Sequence, residues 1–374
     1  SLGEKKFDDA NKIASNGVLL ALISSLVFAV LGGFGSHLFF ALQTDDAQII
    51  EYGAQYLRVV TICSMFVFLQ VTFERLLQST GKTVYSMITQ ATGAIINIIL
   101  DPIMIFGLLG FPAMGVAGAA WATVIAQFIS GVGCVIYSYR KFTILHADAS
   151  ERRQNVSHMG TLCSMGVPMG LQYSITAIGS VILQSSVNTL GSNAVAAMTA
   201  GGKIGMFFCC PFDALGSTMA TYAGQNVGAR KVDRLTSGLR AASILGIVYA
   251  IFAFVVLFYT GGSLAGFFVE GATPQIIADA RQIIFFNSAT YILLAFVNIV
   301  RFLIQGMGYS KFAIIAGVCE MVARTLVAWI CVPLWGFTGA CLASPIAWVF
   351  ADLFLFPAYF HVLKKTKKML HVEE

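Results

Sequence analysis

A glutamate and an arginine four residues apart, Glu320 and Arg324, stand inside the apolar run from Ser310 to Leu334. Glu320 lies about ten residues in from the basic end of that run, or about 15 Å at the rise of an α-helix, near the middle of a hydrocarbon core about 30 Å thick. Acid before base at i, i+4 places both on one helix face in the favourable order for an ion pair. A charge at that depth is costly unless paired or wetted, so it marks a path for a substrate or a coupling ion. Two readings stand: a carboxylate that answers to protons or cations and changes its arginine partner, or a permanent pair that pins two helices.

Other polar residues sit in similar surroundings. Lys203 lies deep in its apolar run and either sets the potential of a cavity, moving as a switch, or snorkels or pairs internally. Asp213, just after Pro211, suits a gate or a helix interface, because the proline frees a carbonyl and can open a polar notch. Asn97 and Asp101 form a second i, i+4 pair before Pro102, which fits a gate or ion relay, or helix capping. Gln172, Tyr173, Gln184 and Asn188 share the run that holds Pro168 and either line a cavity or hold helices together. Met206, Phe207 and Phe208 suit an adaptable surface for amphipathic ligands, although lipid-facing packing explains most of the aromatic content. The histidines, at 37, 146, 158, 361 and 371, are scattered. No enzyme, catalytic residue, metal site or cofactor is therefore expected beyond a coupling ion, H+ or Na+. The eight cysteines, Cys209 and Cys210 among them, form no CxxC and read as buried free thiols.

The elements that position these residues follow from composition. With 57% hydrophobic and 11% charged residues and a mean hydropathy of +0.79, the chain cannot cover itself as a water-soluble globule. It reads as an all-α membrane protein, a polytopic helical bundle. Apolar runs separated by charged islands give about ten spans. They are Ser15 to Leu42, Ala47 to Gln78, Thr83 to Phe106, Met114 to Tyr139, Met159 to Leu190, Asn193 to Gly224, Leu235 to Tyr259, Pro274 to Ile304, Ser310 to Leu334 and Gly339 to Val362. No cleavable signal peptide is visible.

The islands alternate. Basic residues, from Lys5, Lys6 and Lys12 through Arg75, Lys82, Arg140, Lys141, Arg152, Arg153, Arg230, Lys231, Arg234, Arg301 and Lys311 to the Lys364–Lys368 cluster, fall on one side. Asp45, Asp46 and the stretches "GLLGFPAMG", "GSN", "VEGATPQ" and "WGFTG" fall on the other. The positive-inside rule then puts both ends of this chain in the cytoplasm, in a multi-pass protein of the plasma membrane. The net charge of +5 is spread over loops and needs no nucleic acid.

The chain also repeats itself. Gly3, Lys5, Lys6 and Asp8 align without a gap with Gly228, Arg230, Lys231 and Asp233. Gln78 and Gly81 in "LLQSTGK" parallel Gln305 and Gly308 in "LIQGMGYS", and "GVAGAAWA" from Gly115 parallels "GFTGACLA" from Gly336. Six helices separate the two loops, so the repeats are parallel and related by an axis along the membrane normal. By that symmetry two helices are expected before Ser1, which would make the ten spans part of twelve; the alternative is a natural ten-helix protein with a processed end. The expected lobes are 1–146, with four of six helices, and 158–374, with six helices and a basic tail, joined by a cytoplasmic linker at 147–157.

Three stretches resemble the multidrug and toxic compound extrusion transporters. They are "LGSNAVAAMTAGGKIGMFFCCPFDALGSTMATYAGQNVGARKVDRL", "FERLLQSTGKTVYSMITQATGAIINIILDPIMIFGLLGFPAMGVAGAAWATVIAQ" and "VRFLIQGMGYSKFAIIAGVCEMVARTLVAWICVPLWGFTGACLASPIAW". Each is diffuse, and their combination and order carry the resemblance. It implies two lobes facing each other in a V around a central cavity, and export of cationic or amphipathic small molecules in exchange for protons or sodium. It also implies a monomer whose partners are its substrate and membrane lipid. One branch of the family couples through an aspartate on its first helix, which would lie before Ser1. Another uses carboxylates on its seventh and tenth helices, but the matching spans here, Met159 to Leu190 and Pro274 to Ile304, offer only amides deep inside, with Asp279 and Arg301 near their ends. That departure favours protons over sodium. A flippase for lipid-linked precursors is the alternative, and it would need a cavity rich in Arg and Lys.

Overall fold

The computed structural model describes residues 1–42, 46–141, 156–269 and 273–370. Asp45, His146, Arg152, Arg153, Glu270, Gly271, Ala272 and His371 lie outside the described residues, as does the expected linker except for its last two positions. Every regular element among the described residues is helical. In chain order the helices are α1 (Phe7–Ala41), α2 (Ala47–Ile62), α3 (Ser64–Ser79), α4 (Thr83–Phe106), α5 (Val116–Lys141), α6 (Val156–Asn188), α7 (Ser192–Gly228) and α8 (Asp233–Phe268). Then come α9 (Pro274–Ala289), α10 (Tyr291–Gly306), α11 (Lys311–Leu326), α12 (Val332–Trp335), α13 (Phe337–Cys341) and α14 (Ala343–Met369). A π-helical turn, Val327–Cys331, joins α11 to α12. The chain divides into two compact units, Ser1–Leu162 and Cys163–Glu374.

Among the described residues, eight helical stretches are long and apolar enough to cross a membrane, and two bent pairs bring the number to ten, the number expected. Three boundaries differ most from expectation, among them that of the last span, which runs on past Val362 to Met369. The first helix starts at Phe7, not Ser15, because Asp8 and Asp9 fall in its first turn, where acidic side chains complement the helix dipole. The seventh span runs on past Tyr259 to Phe268, since the glycines of "TGGSLAG" do not end a helix that packs on both sides of them.

The second and eighth spans, expected as single helices, are each broken. The α2–α3 pair bends by 51° and the α9–α10 pair by 50°. Each pair opens with a side-chain cap: Asp46 Oδ1 accepts from the Gln48 and Ile49 amides at 2.9 and 3.3 Å, and Thr273 Oγ1 accepts from the Ile276 amide at 3.4 Å with Pro274 following it. These are corresponding helices of the two sequence repeats. The aligned loop positions Lys5 and Arg230 share a left-handed backbone, at φ 59° and 56°. That conformation is uncommon for residues with a Cβ, so its recurrence at aligned positions supports a duplication. The pairs Gly81 and Gly308, and Gly115 and Gly336, likewise match in positive φ.

Close packing follows from small residues. A Cβ on Gly118 would stand 2.4 Å from the Met104 carbonyl oxygen, and one on Gly339 2.1 Å from that of Cys331, so both helices approach a backbone directly. In the second unit α10 is buried over most of its length and packs against α7, α8, α11 and α14. Phe212, Tyr291 and Trp348 form an aromatic chain at its start. Large apolar side chains such as Leu31, Phe34 and Leu38 of α1 point outward, as they do where the solvent is lipid. The cysteines are free, but only Cys134 and Cys341 are buried. Cys163 and Cys210 are exposed, so the expectation of eight buried thiols is corrected.

Candidate transport site

Helix α10 carries Asn298, Arg301 and Gln305 at i, i+3 and i+7, a single polar stripe on an otherwise apolar helix. Each member meets a different helix. Asn298 Nδ2 donates to Asp213 Oδ1 on α7 at 3.1 Å, and Gln305 Nε2 donates to Gln172 Oε1 on α6 at 2.9 Å. Arg301 Nη2 donates to Glu320 Oε1 on α11 in a short charge-assisted bond. The bend at Thr290 turns this stripe toward its partners.

Glu320 therefore sits between two guanidinium groups. Its second oxygen, Oε2, is 3.7 Å from Arg324 Nη2, one turn further along α11. Arg324 also donates to the Thr176 carbonyl at 3.2 Å and to Ser180 Oγ at 3.1 Å, both on α6. The cluster is dry: Glu320 is 4% exposed and Arg301 6%. A buried ion pair is stable only when its Coulomb attraction and remaining hydrogen bonds offset desolvation, and one lost partner leaves a charge uncompensated. The π turn follows this cluster directly, and such turns recur at functional sites.

The sequence reading is corrected at Arg301. Assigned to a basic island near the end of its span, it is instead buried within α10 and is the close partner of Glu320, with Arg324 the looser one. The stripe in "VNIVRFLIQG" was the available signal. Asp352 on α14, inside the apolar "FADLFLF", was also missed. It is 7% exposed, and among the described residues neither carboxylate oxygen has a hydrogen-bond partner.

The remaining candidates of this unit separate into two sets. Gln172 is buried in the network, whereas Tyr173 points outward and Gln184 bonds only along its own helix, to Asn188 at 3.0 Å. Lys203 is exposed, with no ion pair among the described residues, so of its expected roles internal pairing is the one this geometry lacks. It shares the outward face of α7 with Met206 and Phe207, which are 73% and 75% exposed.

In the first unit, Asn97 Nδ2 donates to Asp101 Oδ1 at 3.3 Å. Helix α4 continues through Pro102 to Phe106, so the pair does not cap a helix end. Asn97 also lines a cavity of about 190 Å³ with Gln70, Gln90, Thr123, Gln127 and Ser130. Beside it lies Glu74 of α3, buried, whose oxygens accept from Gln70 at 3.0 Å and Gln90 at 2.6 Å. Glu74 escaped the sequence reading because "FERLLQ" looks like the charged end of a span.

Ten apolar spans, two units with matching bends, and buried ionic and amide networks inside the helices define a polytopic membrane protein of transporter type. The family profile MatE matches residues 1–103 and 168–330, and the chain belongs to that family. "Probable multidrug resistance protein YoeA" of Bacillus subtilis is 25% identical over 82% of this chain and 66% of its own length. "Multidrug export protein MepA" of Staphylococcus haemolyticus is 24% identical over 92% of this chain and 75% of its own. The matches thus span about two thirds to three quarters of these relatives. A multidrug resistance MATE family transporter of the MOP superfamily, solved in an outward-facing conformation, superposes with a TM-score of 0.91. It is 20% identical, with 98% of this chain and 81% of that one covered.

Proposed function

We propose that the protein exports amphipathic, mostly cationic small molecules across the plasma membrane by alternating access, in exchange for cations, with protons preferred over sodium. The observation that carries this reading is the Arg301–Glu320–Arg324 cluster, a dry ionic network within membrane helices. Charges in such a place are expensive, and a coupling-ion or substrate pathway is their usual role. The names of the relatives, a probable multidrug resistance protein and a multidrug export protein, support the class of cargo. In the second unit the exposed Met206 and Phe207 offer apolar, adaptable contacts for such cargo. Alternating access then needs differential binding: cation and substrate must each favour a different state, or no exchange results. On this reading the protein acts as a monomer with both ends of the chain in the cytoplasm.

The test is ethidium accumulation in cells expressing the full-length protein, with and without a proton or sodium gradient. Gradient-dependent lowering of intracellular dye is expected, and abolition by collapsing the pH gradient but not the sodium gradient identifies the ion. Equal dye retention with and without the protein, at confirmed expression, refutes export. Loss only on sodium removal refutes the proton preference.

A further inference from the structure

We propose that Asp352 is a proton-binding site of the second unit and an alternative partner for Arg301; the proposal rests on the reading of the protein as a proton-coupled exporter. Two buried orphans carry it. Neither oxygen of Asp352 has a hydrogen-bond partner, and on Arg301 the Nε donor is likewise unpartnered while Nη2 is held by Glu320. An unsatisfied buried polar group costs about 1–3 kcal/mol, and more when charged. A donor and an acceptor that both lack partners, on packed helices α10 and α14, lower that cost together by pairing.

Charge counting points the same way. Among the directly paired groups, Arg301 and Arg324 bring two positive charges and Glu320 one negative, so the ion-paired set is short of one negative charge. Ionised Asp352 supplies it; protonated Asp352 does not. The charged groups that reach Asp352 from the packed elements are Arg301 of α10 and Glu320 of α11, with Arg324 behind Glu320. Asp213 of α7 also faces Arg301 and, held by Asn298, gives it a second acidic neighbour on the opposite helix, with which Asp352 competes. Two arrangements follow. With a proton taken from water, Asp352 is neutral and Arg301 stays on Glu320, as in this structure. When the proton returns to water on the other side, the carboxylate draws Arg301 toward α14 and the α10–α11 pair loosens. Because α10 also holds α6 and α7 through Gln305 and Asn298, a shift of Arg301 is felt by both of those helices.

The experiment uses the full-length protein in proteoliposomes and compares pH-gradient-driven ethidium uptake with gradient-free counterflow of the same dye. For Asp352→Asn the ratio of driven uptake to counterflow should fall about tenfold, a loss of about 1.4 kcal/mol of coupling. Asp352→Glu should restore coupling with a displaced pH profile. Infrared difference spectra between acidic and alkaline buffers give a readout independent of transport: the protonated-carboxyl band should vanish in Asp352→Asn and persist in Glu320→Gln. Wild-type coupling in Asp352→Asn, or an unchanged band, overturns the proposal. If Asp352→Asn does not fold, the Asp352→Glu band decides: a moved titration supports the proposal and an unmoved one overturns it. Should the wild type move no dye in any gradient, the exporter reading fails, and the infrared arm still decides whether Asp352 takes the proton.

Discussion

Replacing Glu320 by Gln keeps the shape of the side chain and removes its charge, leaving Arg301 and Arg324 without their shared carboxylate. With Glu320 and Arg301 almost fully buried, solvent cannot take over the lost role. Breaking a buried pair in this way costs about 3–5 kcal/mol. For a unit of this size, each kcal/mol shifts the melting temperature by about 2–4 °C, so a fall of about 6–20 °C is expected. The comparison is a variant with both Arg301→Met and Glu320→Met. It removes the pair together, fills its volume with apolar atoms, and keeps the bonds of Arg324 to Thr176 and Ser180. Removing both members of a buried pair is often near neutral, but Arg324 still loses its carboxylate, so this variant should regain part of the loss. The assay is thermal unfolding of purified protein in detergent. A single variant that melts within about 2 °C of wild type, less than the smallest of these shifts, refutes the reasoning. So does a double variant as unstable as the single one.

Gly339→Ala and Gly118→Ala, which push a Cβ against a backbone carbonyl, should each cost about 1–3 kcal/mol, while Gly202→Ala, with open space around it, should not destabilise. Melting curves of the three variants check this. Lys5→Gly and Arg230→Gly should both stabilise slightly, by about 0.5–1 kcal/mol, because glycine meets no penalty at positive φ; unequal signs would contradict the shared loop conformation of the two repeats. Glu74→Gln, which replaces an acceptor of two amide donors by a group that also donates, should destabilise by about 1–3 kcal/mol, and Gln90→Leu in the same background should recover part of it.

The class of protein, the ten spans and the duplication were legible in the residues alone. Composition and run length report burial in lipid directly, since every backbone group in the hydrocarbon must be satisfied within a helix. The repeat was visible because loops need particular residues at particular backbone angles, and Gly81, Gly115, Gly308 and Gly336 mark such positions in both halves. Glu320 was also found, because a lone carboxylate in an apolar run stands out. Its partner was not. The i, i+4 rule selects Arg324, the only basic residue in reach along one helix, whereas the closer contact comes from Arg301, nineteen residues away, across the α10–α11 packing. Sequence spacing reports neighbours within a helix; which faces of different helices meet depends on the 50° break at Thr290 and on small residues that set the approach. The same limit hid Asp352 and Glu74, whose significance lies in what surrounds them. The chemistry of each side chain belongs to the sequence, but the decision that Arg301, Glu320 and Arg324 share one dry cluster belongs to the packing.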